Sequence, residues 1–131
     1  MSMSGSVSST SPQGPPGPGA LTALPIAIPS SGAVQAIAGS FVPCDVRTGQ
    51  VPVLTPLNPT EGTLFAVADT FGMAGAPYTV LVTAQGAGVT ICNPSWNGSG
   101  SPYGAIATLQ TPLAVQRWRF YALTSQWMLD N

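Results

Sequence analysis

The run "VQRWRFYALTSQWML", Val115 to Leu129, decides the fold. Successive residues of a strand point to opposite faces, so Gln116, Trp118, Phe120 and Ala122 share one side and Val115, Arg117, Arg119 and Tyr121 the other. The Trp118/Phe120 side is the core side. After a turn at "TSQ" (Thr124 to Gln126), Trp127 is placed to pack as a cross-strand neighbour of that aromatic pair, which closes the chain's C-terminal end.

Working back from this pair, the same pattern recurs: short β-branched and aromatic runs parted by Gly, Pro and Asn, the signature of an all-β domain. Eight runs are legible. They are "FVPCDV" (Phe41 to Val46), "QVPVLT" (Gln50 to Thr55), "TLFAVAD" (Thr63 to Asp69), "YTVLVTA" (Tyr78 to Ala84), "GVTIC" (Gly88 to Cys92), "GAIATLQ" (Gly104 to Gln110), "VQRWRFYAL" (Val115 to Leu123) and "QWML" (Gln126 to Leu129). Their spacing suits hairpins and predicts a compact antiparallel β-sandwich or barrel, jelly-roll-like, over residues 41–131. Only "SGAVQAIAG" (Ser31 to Gly39) has room for a short helical turn.

Residues 1–40 differ in kind. Six prolines between Ser11 and Gly32 exclude a regular hydrogen-bonded element, because proline fixes φ and lacks a backbone donor. A disordered tail is normally polar and charged. This segment is uncharged and carries Leu21, Leu24, Ile26, Ile28, Val34 and Ile37, so it reads as an extended arm whose aliphatic residues lie on a partner. "GPPGPG" (Gly14 to Gly19) breaks the glycine-every-third rule of collagen at once, which leaves a polyproline II spacer. A boundary between arm and β domain is therefore expected at residues 40/41.

Charge narrows the function. Seven residues of 131 are charged, 5% against roughly 25% in ordinary soluble domains. None lies between Thr70 and Gln116, so the surface is neutral and calls for cover by partners. With three arginines and no lysine, the chain has little with which to neutralise phosphates, and nucleic acid is not an expected partner. No run approaches the roughly 18 apolar residues of a membrane span, and the Ser/Gly-rich start does not read as an export signal. "NGS" at Asn97 matches a glycosylation acceptor without that context.

Histidine is absent, which removes triad chemistry and leaves Cys44 and Cys92 without the usual activating base. Their spacing leaves open whether they are paired. Glycoside hydrolysis needs only two carboxylates, but Asp45, Glu61, Asp69 and Asp130 each sit at a turn or chain end, where turn chemistry accounts for them. No catalytic site, metal site or cofactor is expected. Arg117, Arg119 and Tyr121 on the outward face of the longest strand suit a subunit interface, where the arginines would need Asp45, Glu61, Asp69 or carbonyls of a neighbour as acceptors. The long uncharged loops "TFGMAGAP" (Thr70 to Pro77) and "NPSWNGSGSP" (Asn93 to Pro102) follow, with Trp96 and Tyr103 as loop contact candidates.

From Phe41 to Leu129 the order of parts resembles a small β module of tailed-bacteriophage virion proteins, found in head decoration (cement) proteins and in head or tail fibres. The resemblance rests on Phe41, Val51 to Leu54, Pro59, Gly62, Phe65 to Asp69, Gly72, Tyr78 to Val82, Val89 to Ile91, Trp118 to Tyr121 and Trp127. The glycine-rich "I-x-G" turn usual in that family is replaced here by "NPSWNGSGSPYG". The resemblance implies a non-enzymatic structural protein of the virion. It would be a homotrimer that binds the major capsid protein on the outer capsid surface and stabilises the head, with the arm reaching across neighbouring subunits. A fibre or adhesin module that touches a receptor or glycan is the alternative.

Overall fold

The computed structural model describes residues 21–75 and 78–131. The Ser/Gly lead and the proline-glycine stretch of the expected arm lie outside the described residues. Within them the protein is all-β, built from two sheets. The strands are β1 (Thr22–Ala23), β2 (Val34–Gln35), β3 (Ser40–Cys44), β4 (Val51–Leu54), β5 (Leu64–Asp69), β6 (Val80–Thr83), β7 (Thr90–Cys92), β8 (Tyr103–Gly104), β9 (Ile106–Leu109), β10 (Val115–Tyr121) and β11 (Gln126–Leu129). Each of the eight expected runs overlaps one of them. The other three, β1, β2 and β8, are two-residue strands below the length at which alternation can be read.

One sheet has the order β1-β3-β5-β10-β11-β7-β8 and the other β2-β4-β6-β9. From β1 to β6 the chain alternates between them, giving odd strands to the first and even strands to the second. A strand that regains its own sheet two elements later runs parallel to its predecessor, the intervening strand serving as the crossover that parallel pairing requires. Four pairings are accordingly parallel; of the other five described, β7 with β11 is also parallel and four are antiparallel. This corrects the expected antiparallel hairpin pattern. The turn residues between the early runs mark passages from one sheet to the other, not hairpins.

The inward side chains of both sheets form one core. Val51, Val53, Val80, Val82, Ala107 and Leu109 come from the second sheet and Val42, Phe65, Val67, Ile91, Trp118, Phe120 and Trp127 from the first. The aromatic group is ordered by geometry: Phe65 stacks on Trp118 at 5.1 Å and meets Trp127 edge-on at 4.9 Å, while Phe120 lies 5.1 Å from Trp127. Phe120 and Trp127 stand opposite in the β10/β11 register. The strand β10 buries Gln116, Trp118 and Phe120 and exposes Val115, Arg119 and Tyr121, as alternation requires; Ala122 is exposed because the strand ends at Tyr121.

Residues 21–40 are extended apart from a single 3-10 turn at Pro29–Ser31, which ends on the first residue of the run in which a helical turn was expected and which instead holds β2, and they lie on this chain's own sheets. β1 pairs with β3 and β2 with β4, both parallel, and Ala27 and Ala36 are buried in the core. Strand pairing thus begins at Thr22, before the expected boundary at residues 40/41. The prolines within β3 and β4 explain the fit. Pro43 accepts a hydrogen bond from Ala27 N–H, and Leu54, two residues after Pro52, accepts one from Ala36 N–H. The nitrogens of Pro43 and Pro52 therefore face the flanks that the 21–40 segment covers, where a missing donor marks an edge. Without this segment both strands would be bare edges.

Candidate functional site

The most organised surface feature is built on a buried carboxylate. Asp69 ends β5 and is almost fully buried, and its Oδ2 accepts N–H bonds from Ala74 (2.9 Å) and Leu113 (3.0 Å). Its main-chain N–H donates to Ala114 and that of Thr70 to Cys44. One side chain thus fixes the loop after β5 and the loop before β10 to each other. What these loops and the first residue of β10 display is apolar: Phe71, Met73, Leu113 and Val115 are all exposed. Leu113 is held at φ 60°, a region costly for a side chain with a Cβ, and it lies over Gly72, where a Cβ would come within 3.2 Å of it. On the other flank the Arg47 guanidinium sits 3.7 Å above the Phe71 ring, and Asp45 holds the same arginine in a paired contact at 2.9 Å. Those hydrogen bonds from Arg47 keep the Asp45 carboxyl below its ordinary range.

A second apolar area lies at the free edge of β2. Gln35 to Ala38 and Pro56 to Leu57 line an open groove of about 140 Å³, with Ile37 and Leu57 exposed beside it. Gln35 closes its inner end by donating to Thr55 C=O and accepting from Gln85. The aliphatic residues expected to meet a partner are divided by this arrangement. Leu24 and Val34 pack against the chain's own core and Leu21 is half-buried, whereas Ile26, Ile28 and Ile37 face outward.

The expected subunit face places Tyr121 outward, but its arginines have an acceptor in their own chain. Asp130 binds Arg117 at 3.0 Å and Arg119 at 3.2 Å. One carboxylate thus serves two guanidinium groups, and the cluster keeps a net charge of +1. The sequence concealed this acceptor because Asp130 reads as a chain-end charge, whereas the β10/β11 register sets Trp118 opposite Leu129 and carries Asp130 alongside Arg117 and Arg119. On the loop after β7, Trp96 is exposed and its indole N–H donates to Ser99 C=O at 3.0 Å, while Tyr103 is half-buried opposite Cys92.

The four carboxylates stand apart, each with a structural partner. Asp45 holds Arg47, Glu61 accepts the Ala122 N–H at 2.8 Å and so caps the β10/β11 turn, Asp69 joins its two loops, and Asp130 holds the arginine pair. Both cysteines are free thiols. Burial pushes the Cys44 thiol up to about 12, against a smaller opposing hydrogen bond from the Ala68 main chain. Among the described residues no group of three His, Cys, Asp or Glu could hold a metal ion, and no helix is long and apolar enough to cross a membrane. No family model matches the chain, and no curated protein matches it. The patch built on Asp69 was half legible in sequence: its loop was recognised, but Leu113, brought in from a distant segment, carries no local signal.

Proposed function

We propose that this chain is a structural, non-enzymatic component of a tailed-bacteriophage virion, a decoration protein that binds the outer surface of the major capsid protein and stabilises the head. In this reading its two sheets form a β-sandwich, and its working state is a homotrimer. The observation that carries the reading is the exposed apolar patch of Phe71, Met73, Leu113 and Val115, fixed in place by Asp69 on a surface almost without charge. A monomer in water gains nothing from displaying such residues in a fixed geometry, whereas an assembly buries them. The dispersal of the carboxylates into structural pairs supports a role without chemistry. Contacts to neighbouring subunits fall to the outward residues of the 21–40 segment, Ile26 and Ile37, and to the groove beside Leu57.

Quantitative mass spectrometry of purified particles tests this. Decoration requires hundreds of copies per particle; a handful would favour a fibre or adhesin module, for which the exposed ring of Trp96 is the favouring observation. Light scattering on the free protein should give a trimer, and Met73→Ser with Leu113→Ser should weaken attachment to shells while leaving the fold intact. Full attachment by that variant would remove the patch from the interface.

A further inference from the structure

The loop between β7 and β8 exposes an Asn-Gly pair, Asn97 and Gly98, at its tip. Of the chain's four asparagines, Asn58 and Asn93 precede prolines, Asn131 is the last residue of the sequence, and Asn97 precedes Gly98. The base of the loop is well tied: Asn93 Oδ1 accepts from Ser95 N–H and Thr108 N–H, and the Ser95 hydroxyl donates to Thr108 C=O. Beyond it, Asn97, Gly98 and Ser99 are exposed. The Gly98 N–H makes no hydrogen bond among the described residues. Gly98 has φ +89° and open space where a Cβ would stand, so solvent reaches its nitrogen freely. The Asn97 side-chain oxygen accepts the Ser99 N–H at 3.0 Å.

We infer that Asn97 is a site of spontaneous deamidation, at which the main-chain nitrogen of Gly98 attacks the Asn97 side-chain carbonyl. A solvent base, hydroxide at neutral to alkaline pH, removes the Gly98 amide proton, and the nitrogen forms a bond to Asn97 Cγ. Negative charge collects on Oδ1, the atom already facing the Ser99 N–H, which stabilises it as a positioned donor does. The carbon–nitrogen bond of the side-chain amide then breaks. Its nitrogen takes a proton from water and leaves as ammonia, and a five-membered succinimide remains. Water opens that ring at either carbonyl, giving aspartate or isoaspartate. The balance is one water consumed and one ammonia released, with no oxidant or reductant. Asn58 and Asn93 cannot follow this route, because the following proline nitrogen has no proton to lose.

The consequences are local and electrostatic. The product adds one negative charge to a chain whose net charge is −1, in a stretch with no other charge between Thr70 and Gln116. The isoaspartate form also inserts a methylene into the main chain between Asn97 and Gly98, one residue before Ser99, whose carbonyl holds the Trp96 indole N–H. The surface around Trp96 is therefore altered irreversibly as the protein ages.

The test is to hold the full-length folded protein at physiological temperature in heavy-oxygen water, near neutral pH and one unit higher, and to map its peptides by mass spectrometry. Conversion is expected at Asn97 with uptake of heavy oxygen, faster at the higher pH, and not at Asn58 or Asn93. Gly98→Ala should slow it about tenfold, a small change in barrier brought by placing a Cβ beside the attacking nitrogen. A denatured sample serves as reference. An Asn97 that stays intact in the folded chain while the denatured chain converts it would overturn the inference. Equal rates with and without the Gly98→Ala change would overturn the ring-closing route.

Discussion

The C-terminal pair β10/β11 and the coil of strands β1 to β6 are held together by different means. In the pair, Phe120 meets Trp127 through a four-residue register between strands adjacent in sequence, and Trp118 and Trp127 both also contact Phe65 of β5. In the coil, each strand's sheet partner lies two elements away, and the inward residues are mostly valine and alanine. Ring area concentrates stability at a few positions, whereas small aliphatics spread it over many. Loss of one aromatic should therefore cost more than loss of a whole peripheral strand pair.

The sharpest way to break that comparison is Trp118→Ala. Its ring is fully buried and stacks on Phe65, and its Nε1 donates to Cys92 C=O at 2.9 Å. An aromatic-sized cavity in a small core should cost about 3 to 5 kcal/mol, read from the urea midpoint. Less than about 1 kcal/mol would mean that the aromatic group is not where stability is concentrated. Next in size is removal of residues 1–40 compared with removal of residues 1–20. The difference between the two truncations takes away β1, β2, the first residue of β3, the buried Ala27 and Ala36 and the partial burial of Leu24 and Val34, and should be on the order of 2 kcal/mol after the ordering cost is offset. Equal stability of the two truncations would reduce the 21–40 segment to a passenger.

The same contrast explains what could be read before the structure was known. Alternation in "VQRWRF" assigns its faces because aromatic and charged residues differ so strongly, and β10 buries Trp118 and Phe120 accordingly. In "LFAVAD" no such contrast exists, and β5 is buried on both faces nearly throughout: Ala66 lies under its neighbours on the outer face while Phe65 and Val67 point into the core. Strand existence survives this ambiguity, but pairing direction does not, since Gly and Pro punctuate a crossover as readily as a hairpin. The extended apolar segment at residues 21–40 was legible as a strand-like thing in need of a surface. That the surface is its own chain depends on the flanks of Pro43 and Pro52, which only the sheet order reveals. The Asp69 patch was hidden for a similar reason, because Leu113 joins it from the far end of the domain.

Cys44 sharpens the comparison from the side of the coil, in its pH dependence. The folded thiol titrates at about 12, above the ordinary thiol range, chiefly because it is buried at the end of β3. Below that ordinary range both folded and unfolded chains hold the proton, and the full contribution to stability is present. Between it and about 12 the unfolded chain has lost the proton and the folded chain has not, so stability falls as pH rises, by about 1.4 kcal/mol per pH unit from this group. Cys92 and Tyr103 are also raised by burial and act in the same direction. Urea titrations at several alkaline pH values, with and without Cys44→Ala, separate its share: the variant should show the shallower slope. Identical slopes would mean that Cys44 is reached by solvent in the folded protein.

The smallest effect is expected on the outer face of β10, where Asp130 pairs with both arginines. Arg117 and Arg119 are 36% and 47% exposed and Asp130 is 25% exposed, so water screens both contacts. Asp130→Asn should therefore cost no more than about 1 kcal/mol, and less at high salt. The two arginines are not equivalent, however. Arg117 Nε is buried without a partner, which makes its guanidinium the more dependent on the carboxylate beside it. A double-mutant cycle of Asp130→Asn with Arg117→Ala should give a larger coupling than one with Arg119→Ala. Equal couplings would mean that burial of Nε does not matter. The same variants also bear on the subunit face. If the proposed trimer uses this surface mainly through Tyr121 and Val115, two uncompensated arginines per copy around a symmetry axis should weaken it by like-charge repulsion. A trimer that survives Asp130→Asn unchanged in light scattering would place its contacts away from β10, at the β2 edge or the Asp69 patch.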